Sequence, residues 1–407
     1  MGSMAWRFSG RELEYVKEVL DSGFGSSTSG TMNQRLERAF AERFGVRYAV
    51  TFNSGTSTLH AALAAFGVGP GDEVIVPALT VISCASAVLF CNAVPVFADI
   101  DPETFELDPE DVARKITPRT KAVMPVALYG LAPDMEPIML LAREHGLRVL
   151  EDCAQCVLGE YKGRLVGTIG DVASFSFENS KHLSTGDGGL ILTDDEALAT
   201  AIRKFSSLGF VNIGAGEGRV RLTKDMFQDP DFKRHDRFGW QYRLPEVCAA
   251  VGLAQLERVD YFVEMRRTMA QRYLDVIGDH PLLRPQRVPG GCVHSYYTFA
   301  ARFEGGQRGI AWKEFREKYK EHGGDGIYAA WSLLYNEPVI KEARFYGKGC
   351  PTACPHYAGA FNVEAGQCPN AESVQPKLMQ FTTNQAGEAE CAQQAEAMRK
   401  TLDYFGT

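Results

Sequence analysis

Residues 48–77 read YAVTFNSGTSTLHAALAAFGVGPGDEVIVP, and this segment contains a complete strand, helix and strand pattern. The runs at 48–52 and 73–76 are short, apolar and rich in β-branched or aromatic residues, which is typical of buried strands. Between them, the alanine- and leucine-rich run at 56–66 predicts a helix. A strand, a crossover helix and a second strand form the unit of an α/β fold with parallel strands.

The same alternation continues toward the C-terminus. Further strands are predicted at 95–99, 121–126, 148–151, 173–177, 189–193 and 296–303. Helices are predicted at 135–145, 245–277, 312–322 and 388–404. This order indicates an α/β fold with a mixed, mainly parallel sheet in a large domain at 1–265. A small α+β C-terminal domain at 266–407 follows.

Composition excludes several classes of protein. The chain has 407 residues and a net charge of −8, so no basic surplus favours nucleic-acid binding. Its 45% hydrophobic and 23% charged residues are ordinary globular values, which excludes wholesale disorder. Ten cysteines are too few for a disulfide scaffold, and we expect a reducing, cytoplasmic location. The uncharged segment 74–97 contains two prolines and several polar residues, so it predicts core strands and a helix rather than a membrane span.

The first segment that could form a functional site is NSGTSTL at 53–59, where a strand passes into a helix. Glycine and hydroxyl residues at a helix N-terminus can bind an anion, because free N–H groups and the helix dipole point toward it. Ser54 or Thr56 could equally be a plain N-cap without a ligand. The segment alone leaves both interpretations open.

Two further segments supply ionisable side chains. Asp152 in LEDCAQ (150–155) ends a predicted parallel strand, where it could cap a helix or contact a cation or heterocycle. Lys181 in SFSFENSKH (174–182) lies between an apolar strand and the glycine turn GDGG (186–189). A desolvated lysine can act as a Schiff-base nucleophile, although a solvated loop lysine is the commoner case. A helix N-terminus, a strand-end aspartate and then a lysine match the order found in pyridoxal phosphate enzymes.

With these motifs the chain resembles the sugar aminotransferases of the DegT/StrS type over nearly its whole length. The matching segments are DSGFG (21–25), residues 49–59, GVGPGDEVIVP (67–77), DID (99–101), ITPRTKA (116–122), LYG (128–130), EDCAQ (151–155), residues 175–181, GWQYRL (239–244) and HSYY (294–297). The resemblance implies the fold-type I architecture of aspartate aminotransferase and pyridoxal 5'-phosphate as cofactor. It also implies a homodimer whose active sites lie at the subunit interface.

The resemblance assigns a role to each matching residue. Lys181 would be the Schiff-base lysine and proton shuttle, and Asp152 would pair with the pyridine nitrogen. Gln155 would lie near the ring hydroxyl of the cofactor. The phosphate would be bound by Gly55, Thr56 and Ser176, and by Gln241 of the second subunit. No residue is expected to bind a metal.

Three positions depart from the family pattern. Val81 stands where an aromatic residue usually stacks on the cofactor ring, and valine covers a ring face without aromatic stacking. Gln241 replaces the common asparagine, and Ala127 stands where histidine is usual. None of the three changes the lysine or its aspartate.

The resemblance implies transfer of an amino group from glutamate or glutamine to a keto-sugar, with a nucleotide-linked keto-sugar as the expected acceptor. A keto-cyclitol of the scyllo-inosose type is the alternative acceptor. A sugar dehydratase of the same family would carry histidine in place of Lys181, and an iron–sulfur form would need a cluster such as Cys350, Cys354 and Cys368. A cofactor-binding regulator of DNA would need a further module, for which the chain has no spare segment.

Overall fold

The computed structural model describes residues 4–216, 218 and 223–406. Its α-helices are α1 (Arg11–Asp21), α2 (Met32–Phe44), α3 (Gly55–Ala65), α4 (Ser83–Phe90), α5 (Pro109–Lys115), α6 (Met135–His145), α7 (Glu196–Phe205), α8 (Lys224–Gln228), α9 (Glu246–Leu256), α10 (Val259–Ile277), α11 (Trp312–Glu321), α12 (Pro338–Lys341), α13 (Pro369–Val374) and α14 (Glu388–Phe405). Its strands are β1 (Tyr48–Phe52), β2 (Glu73–Pro77), β3 (Val94–Ala98), β4 (Thr120–Val123), β5 (Arg148–Asp152), β6 (Glu160–Tyr161), β7 (Arg164–Leu165), β8 (Val172–Ser176), β9 (Gly189–Thr193), β10 (Leu283–Pro285), β11 (Cys292–Val293), β12 (Phe299–Phe303), β13 (Tyr328–Ala329) and β14 (Leu378–Phe381).

A seven-stranded sheet in the order β1-β9-β8-β5-β4-β2-β3 forms the central layer. Strands β3, β2, β4, β5 and β8 are parallel, and β9 is antiparallel to both of its neighbours. Every residue of β2, β8 and β9 is buried, as expected for strands covered on both faces. Alternate side chains enter two cores, because Ile75 packs into one and Val74 and Val76 into the other.

Helix α3 begins at the end of the first strand because Ser54 caps it. The Ser54 Oγ accepts a hydrogen bond from the Ser57 N–H at 3.1 Å. Leu59 and Leu63 then anchor the helix in the core on one face of the sheet. Close approach of the loop requires glycine at 189, since a Cβ there would lie 2.6 Å from the Ser54 carbonyl oxygen. The helix N-terminus therefore lies next to the ends of β8 and β9.

The C-terminal part of the chain forms an antiparallel sheet in the order β10-β12-β14-β13. Side chains from α10, α11 and α14 pack with it into a separate core that contains Tyr273, Phe315 and Met398. Residues 265 and 266 both lie within α10. The division at 265/266 stays a prediction. A third, small sheet has the order β11-β6-β7.

The long helix predicted at 245–277 is two helices, and that prediction is wrong in this respect. Helix α9 ends at Leu256 and α10 begins at Val259. Arg258 has φ −115° and ψ 11°, and its guanidinium donates a hydrogen bond to the Arg7 carbonyl at 2.7 Å. The break therefore has a tertiary partner, which a helical pattern does not reveal.

The segment 74–97 forms β2, α4 and β3 inside the fold. Across residues 4–216, 218 and 223–406, no helix is both long enough and apolar enough to cross a bilayer.

Candidate functional site

A cavity of about 240 Å³ opens where the carboxyl ends of β5 and β8 meet the N-terminus of α3. Open α/β sheets place ligands at this edge. The cavity contains six of the eight predicted cofactor residues, namely Gly55, Thr56, Val81, Asp152, Ser176 and Lys181. The remaining lining residues are Ser54, Leu59, Ser83, Ala154, Glu178, Asp187 and Gly188. Segments far apart in sequence thus converge on one site.

One wall of the cavity is the first turn of α3. The first N–H groups of a helix have no intrahelical acceptor and carry a partial positive charge, so they suit an anion. Gly55 faces Ser176 closely, and a Cβ at Gly55 would lie 2.9 Å from the Ser176 Cβ. The Thr56 and Ser83 hydroxyls are 2.8 Å apart. This wall offers bare backbone and hydroxyl groups, a combination that fits a phosphate.

A second feature of the cavity is the carboxylate of Asp152, which is buried at the end of β5. Its Oδ1 accepts a hydrogen bond from the Ala154 N–H at 3.0 Å, and its Oδ2 accepts one from the Cys84 thiol at 3.4 Å. Burial raises the pKa of Asp152, while the Ala154 N–H, the Cys84 thiol and the positive charge of Lys181 oppose the rise. A buried carboxylate with two donors is suited to balance a positive charge in the cavity.

The amine of Lys181 lies over the ring of Tyr297, with 4.6 Å from Nζ to the ring centroid. The Tyr297 hydroxyl is 2.8 Å from the Ser180 Oγ, so the ring is fixed beside the lysine loop. His182 does not line the cavity. Its Nε2 is 3.0 Å from the Ser295 carbonyl, and burial lowers its pKa well below the usual value, with Arg266, Lys181 and Arg7 adding to the effect. The histidine next to the lysine is therefore neutral and directed elsewhere.

Two of the predicted cofactor residues lie outside this cavity. The Gln155 Oε1 accepts a hydrogen bond from the Tyr129 N–H at 2.7 Å. Gln241 is exposed, and its backbone pairs with that of Ser207 in an isolated antiparallel β-bridge. The carbonyl of its neighbour Tyr242 accepts a hydrogen bond from the Asn53 N–H at 2.8 Å. This contact brings the segment 239–244 next to the start of α3.

Sequence inspection missed two arginines that contact the lysine loop. Arg7 donates to the carbonyls of Asn179, Lys181 and His182, and Arg266 donates to those of Ser180 and Lys181. Arg266 lies on the buried face of α10 with Phe262, Met269 and Tyr273. A cation on an apolar helix face is a signal that could have identified it. Arg7 carries no such signal.

The cysteines of the site region are free thiols. Cys153 and Cys156 are buried, and burial raises the pKa of both. The Cys156 thiol donates to the Gly130 carbonyl at 3.3 Å, which is a packing role. Among the described residues, no group of three or more His, Cys, Asp or Glu side chains could hold a metal ion.

Comparison with known proteins shows what the chain is similar to. The model of the DegT/DnrJ/EryC1/StrS aminotransferase family matches residues 8–394. The chain is 40% identical over 327 residues to the GDP-perosamine synthase of Escherichia coli O157:H7, a match that covers 80% of this chain and 82% of the relative.

Solved structures of other proteins share the fold. An aminotransferase from Psychrobacter cryohalolentis aligns with a TM-score of 0.83 at 28% identity, over 96% of each chain. A mutant of GDP-4-keto-6-deoxymannose-3-dehydratase (ColD) with bound GDP-perosamine aligns with a TM-score of 0.80 at 25% identity, over 96% of this chain and 98% of that one. These matches confirm the resemblance and the fold-type I class predicted from the motifs.

Proposed function

The chain belongs to the DegT/DnrJ/EryC1/StrS aminotransferase family, and on that premise we propose that it aminates a nucleotide-linked keto-sugar. It is a pyridoxal phosphate-dependent aminotransferase with a keto-sugar acceptor. A GDP-linked keto-sugar is the first candidate, because the 40% identical relative is a GDP-perosamine synthase. The observation that carries the proposal is the convergence of Lys181, Asp152 and the start of α3 on one cavity.

The residues of the cavity fit the cofactor. The close approach of Gly55 to Ser176 leaves a bare backbone surface at the helix N-terminus, which suits the phosphate. The buried Asp152 carboxylate, held by the Ala154 N–H, suits a protonated pyridine nitrogen. The position of the Lys181 amine at the cavity wall suits a covalent link to the aldehyde.

When bound, pyridoxal phosphate supplies an electron-accepting ring that spreads the negative charge left on carbon after a proton is removed. Asp152 would keep the ring nitrogen positive and so strengthen that effect. Lys181 would take the proton at Nζ from the substrate carbon and deliver it to the reacting carbon of the cofactor, which is general acid–base catalysis. Val81 would cover one face of the ring, and the Thr56 and Ser176 hydroxyls would hold the phosphate.

The remaining assignments concern residues at the edge of the site. Gln155 would orient the ring hydroxyl, and Gln241 would reach the phosphate bound by the second subunit of a homodimer. Exposed aromatic side chains next to Gln241 support the dimer, since Phe238 is 78% and Trp240 44% exposed. Glutamate or glutamine is the amino donor. Ten free cysteines support a cytoplasmic location.

The acceptor can be identified with the purified protein, pyridoxal phosphate and glutamate. We expect GDP-linked keto-sugars to yield an amino sugar by mass spectrometry, together with 2-oxoglutarate in equal amount. UDP- and dTDP-linked keto-sugars and a keto-cyclitol are tested in parallel. Turnover of the keto-cyclitol alone would overturn the nucleotide-sugar assignment.

Replacement of the lysine tests the chemistry itself. Lys181→Ala should abolish turnover and the absorbance of the covalently linked cofactor, because no other amine lines the cavity as described. Lys181→Arg keeps the positive charge but is a much poorer nucleophile, and it should be equally inactive. Lys400→Ala, an exposed change on α14, is the control. Unchanged turnover in Lys181→Ala would refute the proposed role.

A further inference from the structure

We propose that Arg7 and Arg266 are positioning residues for the transamination, because together they hold the backbone of residues 179–182 and thereby orient the side chain of Lys181. This inference rests on the proposed role of Lys181. It concerns two side chains that do not line the cavity, one from the N-terminal segment and one from α10.

Arg7 holds three carbonyls of the lysine loop. Its Nη1 donates to Asn179 at 2.7 Å, and its Nη2 donates to Lys181 at 2.8 Å and to His182 at 3.1 Å. The backbone of Arg7 is itself fixed, because its carbonyl accepts hydrogen bonds from Gln255 Nε2 at 3.0 Å and Arg258 Nη1 at 2.7 Å. The guanidinium therefore has a defined position.

Arg266 completes the set from α10. Its Nη2 donates to the Ser180 carbonyl at 3.1 Å and to the Lys181 carbonyl at 3.5 Å. Its Nη1 donates to the Tyr297 carbonyl at 2.6 Å and to the Thr383 Oγ1 at 3.1 Å. All four consecutive carbonyls from 179 to 182 thus have an arginine donor.

Fixed carbonyls fix the peptide planes on both sides of Lys181, and these planes set the direction of its Cα–Cβ bond. The Lys181 side chain then runs over the ring of Tyr297, whose carbonyl Arg266 also holds. A planar guanidinium can hold several carbonyls at once, whereas an ammonium is a compact charge without a fork. The geometry of arginine, rather than its charge alone, is what this arrangement uses.

Simple packing does not explain why these two arginines are buried. Both are buried, and among the described residues neither forms an ion pair with a carboxylate. Burial lowers the pKa of Arg7, although the charge of Glu178 opposes this shift, and burial followed by the charge of Arg7 lowers the pKa of Arg266 to about 10. Buried cations without a carboxylate cost stability. What the two arginines share is their hydrogen bonds to the backbone of residues 179–182.

Arg267 offers a matched control on the same helix. Its Nε donates to the His294 carbonyl at 3.0 Å, and its Nη2 donates to the Leu158 carbonyl at 2.8 Å. It thus also joins α10 to two backbone carbonyls, but away from residues 179–182. Arg267→Lys loses comparable hydrogen bonds without disturbing the lysine loop.

The experiment compares Arg266→Lys, Arg7→Lys and Arg267→Lys as cofactor-loaded proteins. In the first two we expect kcat to fall by about 100-fold with KM for the acceptor nearly unchanged, since a misplaced reacting group costs about that much. We also expect the visible circular dichroism of the bound cofactor to change, because it reports the orientation of the linked ring. In Arg267→Lys, both kcat and the dichroism should match the original protein.

The outcomes separate this proposal from the role of Lys181. Original kcat and dichroism in Arg266→Lys or in Arg7→Lys would overturn the positioning role while Lys181→Ala stays inactive. Equal losses in Arg267→Lys would also overturn it, because they would show a general loss of rigidity. If Arg266→Lys does not fold, the comparison of Arg7→Lys with Arg267→Lys decides. Activity in Lys181→Ala would refute the proposed function itself.

Discussion

Asp152 and Glu151 are adjacent buried carboxylates at the end of β5 that face opposite sides of the strand. Asp152 lines the cavity. Glu151 accepts hydrogen bonds from the N–H groups of Gly167 at 2.8 Å, Ile169 at 2.7 Å and Gly170 at 2.6 Å. Burial raises the pKa of Glu151, and these three donors oppose the rise. One acid therefore serves the site and the other holds a loop.

The contrast between them is testable by amide replacement. Asp152→Asn should lower kcat by about 100-fold or more, because an amide cannot balance a protonated pyridine nitrogen. Glu151→Gln should leave kcat of the folded protein unchanged but lower the free energy of unfolding by about 1–3 kcal/mol, since one acceptor is lost. Steady-state kinetics and urea unfolding measure the two effects. A kcat loss in Glu151→Gln as large as in Asp152→Asn would contradict the separation.

His294 should give the molecule a pH dependence of stability. Its Nδ1 accepts the Tyr296 N–H at 2.8 Å, and its Nε2 lies 3.0 Å from the Gln286 Oε1, so the folded state requires the neutral ring. Burial lowers its pKa from 6.5 to about 3, and Arg267 adds to the shift. The unfolded chain therefore binds a proton below pH 6.5 that the folded chain does not, and stability falls as the pH falls.

The expected slope is about 1.4 kcal/mol per pH unit between about pH 6 and pH 4 from this residue. In His294→Gln, the free energy of unfolding should depend less steeply on pH by that amount. His145→Gln, an exposed change at the end of α6, controls for the substitution itself. Parallel curves for His294→Gln and the original protein would show that His294 is not responsible.

At the scale of elements, the start of α3 combines a cap with a close contact. Ser54 satisfies one N–H of the first turn, and Gly55 leaves room beside Ser176. Local sequence offered Ser54 as one of two candidate caps, because serine before a helical run is an N-cap signal. It left the phosphate site open, since the contact between α3 and β8 joins residues more than a hundred positions apart.

Gly55→Ala should weaken cofactor binding. The new Cβ would lie 2.9 Å from the Ser176 Cβ, so one of the two walls has to move. Overpacking of this kind costs about 1–3 kcal/mol, and we expect the dissociation constant of pyridoxal phosphate to rise about 10-fold. Titration of the cofactor-free protein measures it. Gly69→Ala is the control, because no atom lies within 4 Å of a Cβ at Gly69. Equal affinity in both variants would exclude a role for the close contact.

At the scale of the whole molecule, the proposed shared active site predicts complementation between inactive subunits. Lys181→Ala should be inactive alone, and Gln241→Ala should be weak alone. When the two are dissociated and mixed in equal amounts, about half of the dimers that re-form are mixed, and each mixed dimer has one intact site of two. About a quarter of the original activity should therefore return. Mixing either variant with itself is the control. Absence of recovery after verified subunit exchange would place Gln241 outside the partner's site.

The strands of the large sheet and the helices around it were predictable because the periodicity of hydrophobic residues is a local property of the sequence. Runs such as 73–76 contain the apolar pattern of a buried strand whatever surrounds them, and the predicted ends differ from the structure by a few residues. The break between α9 and α10 was not predictable, since it depends on the contact between Arg258 and Arg7.

The sequence by itself determined the α/β order, the glycine-rich segment after Lys181, and the residue types of the cofactor site. Each of these depends on short motifs of neighbouring residues. Only the tertiary structure decided which side chains share the cavity, that Gln155 and Gln241 lie outside it, and that Arg7 and Arg266 meet at one loop. Those contacts join residues 85 and 174 positions apart. Their energies arise from burial and hydrogen bonding in the assembled fold, which no local pattern contains.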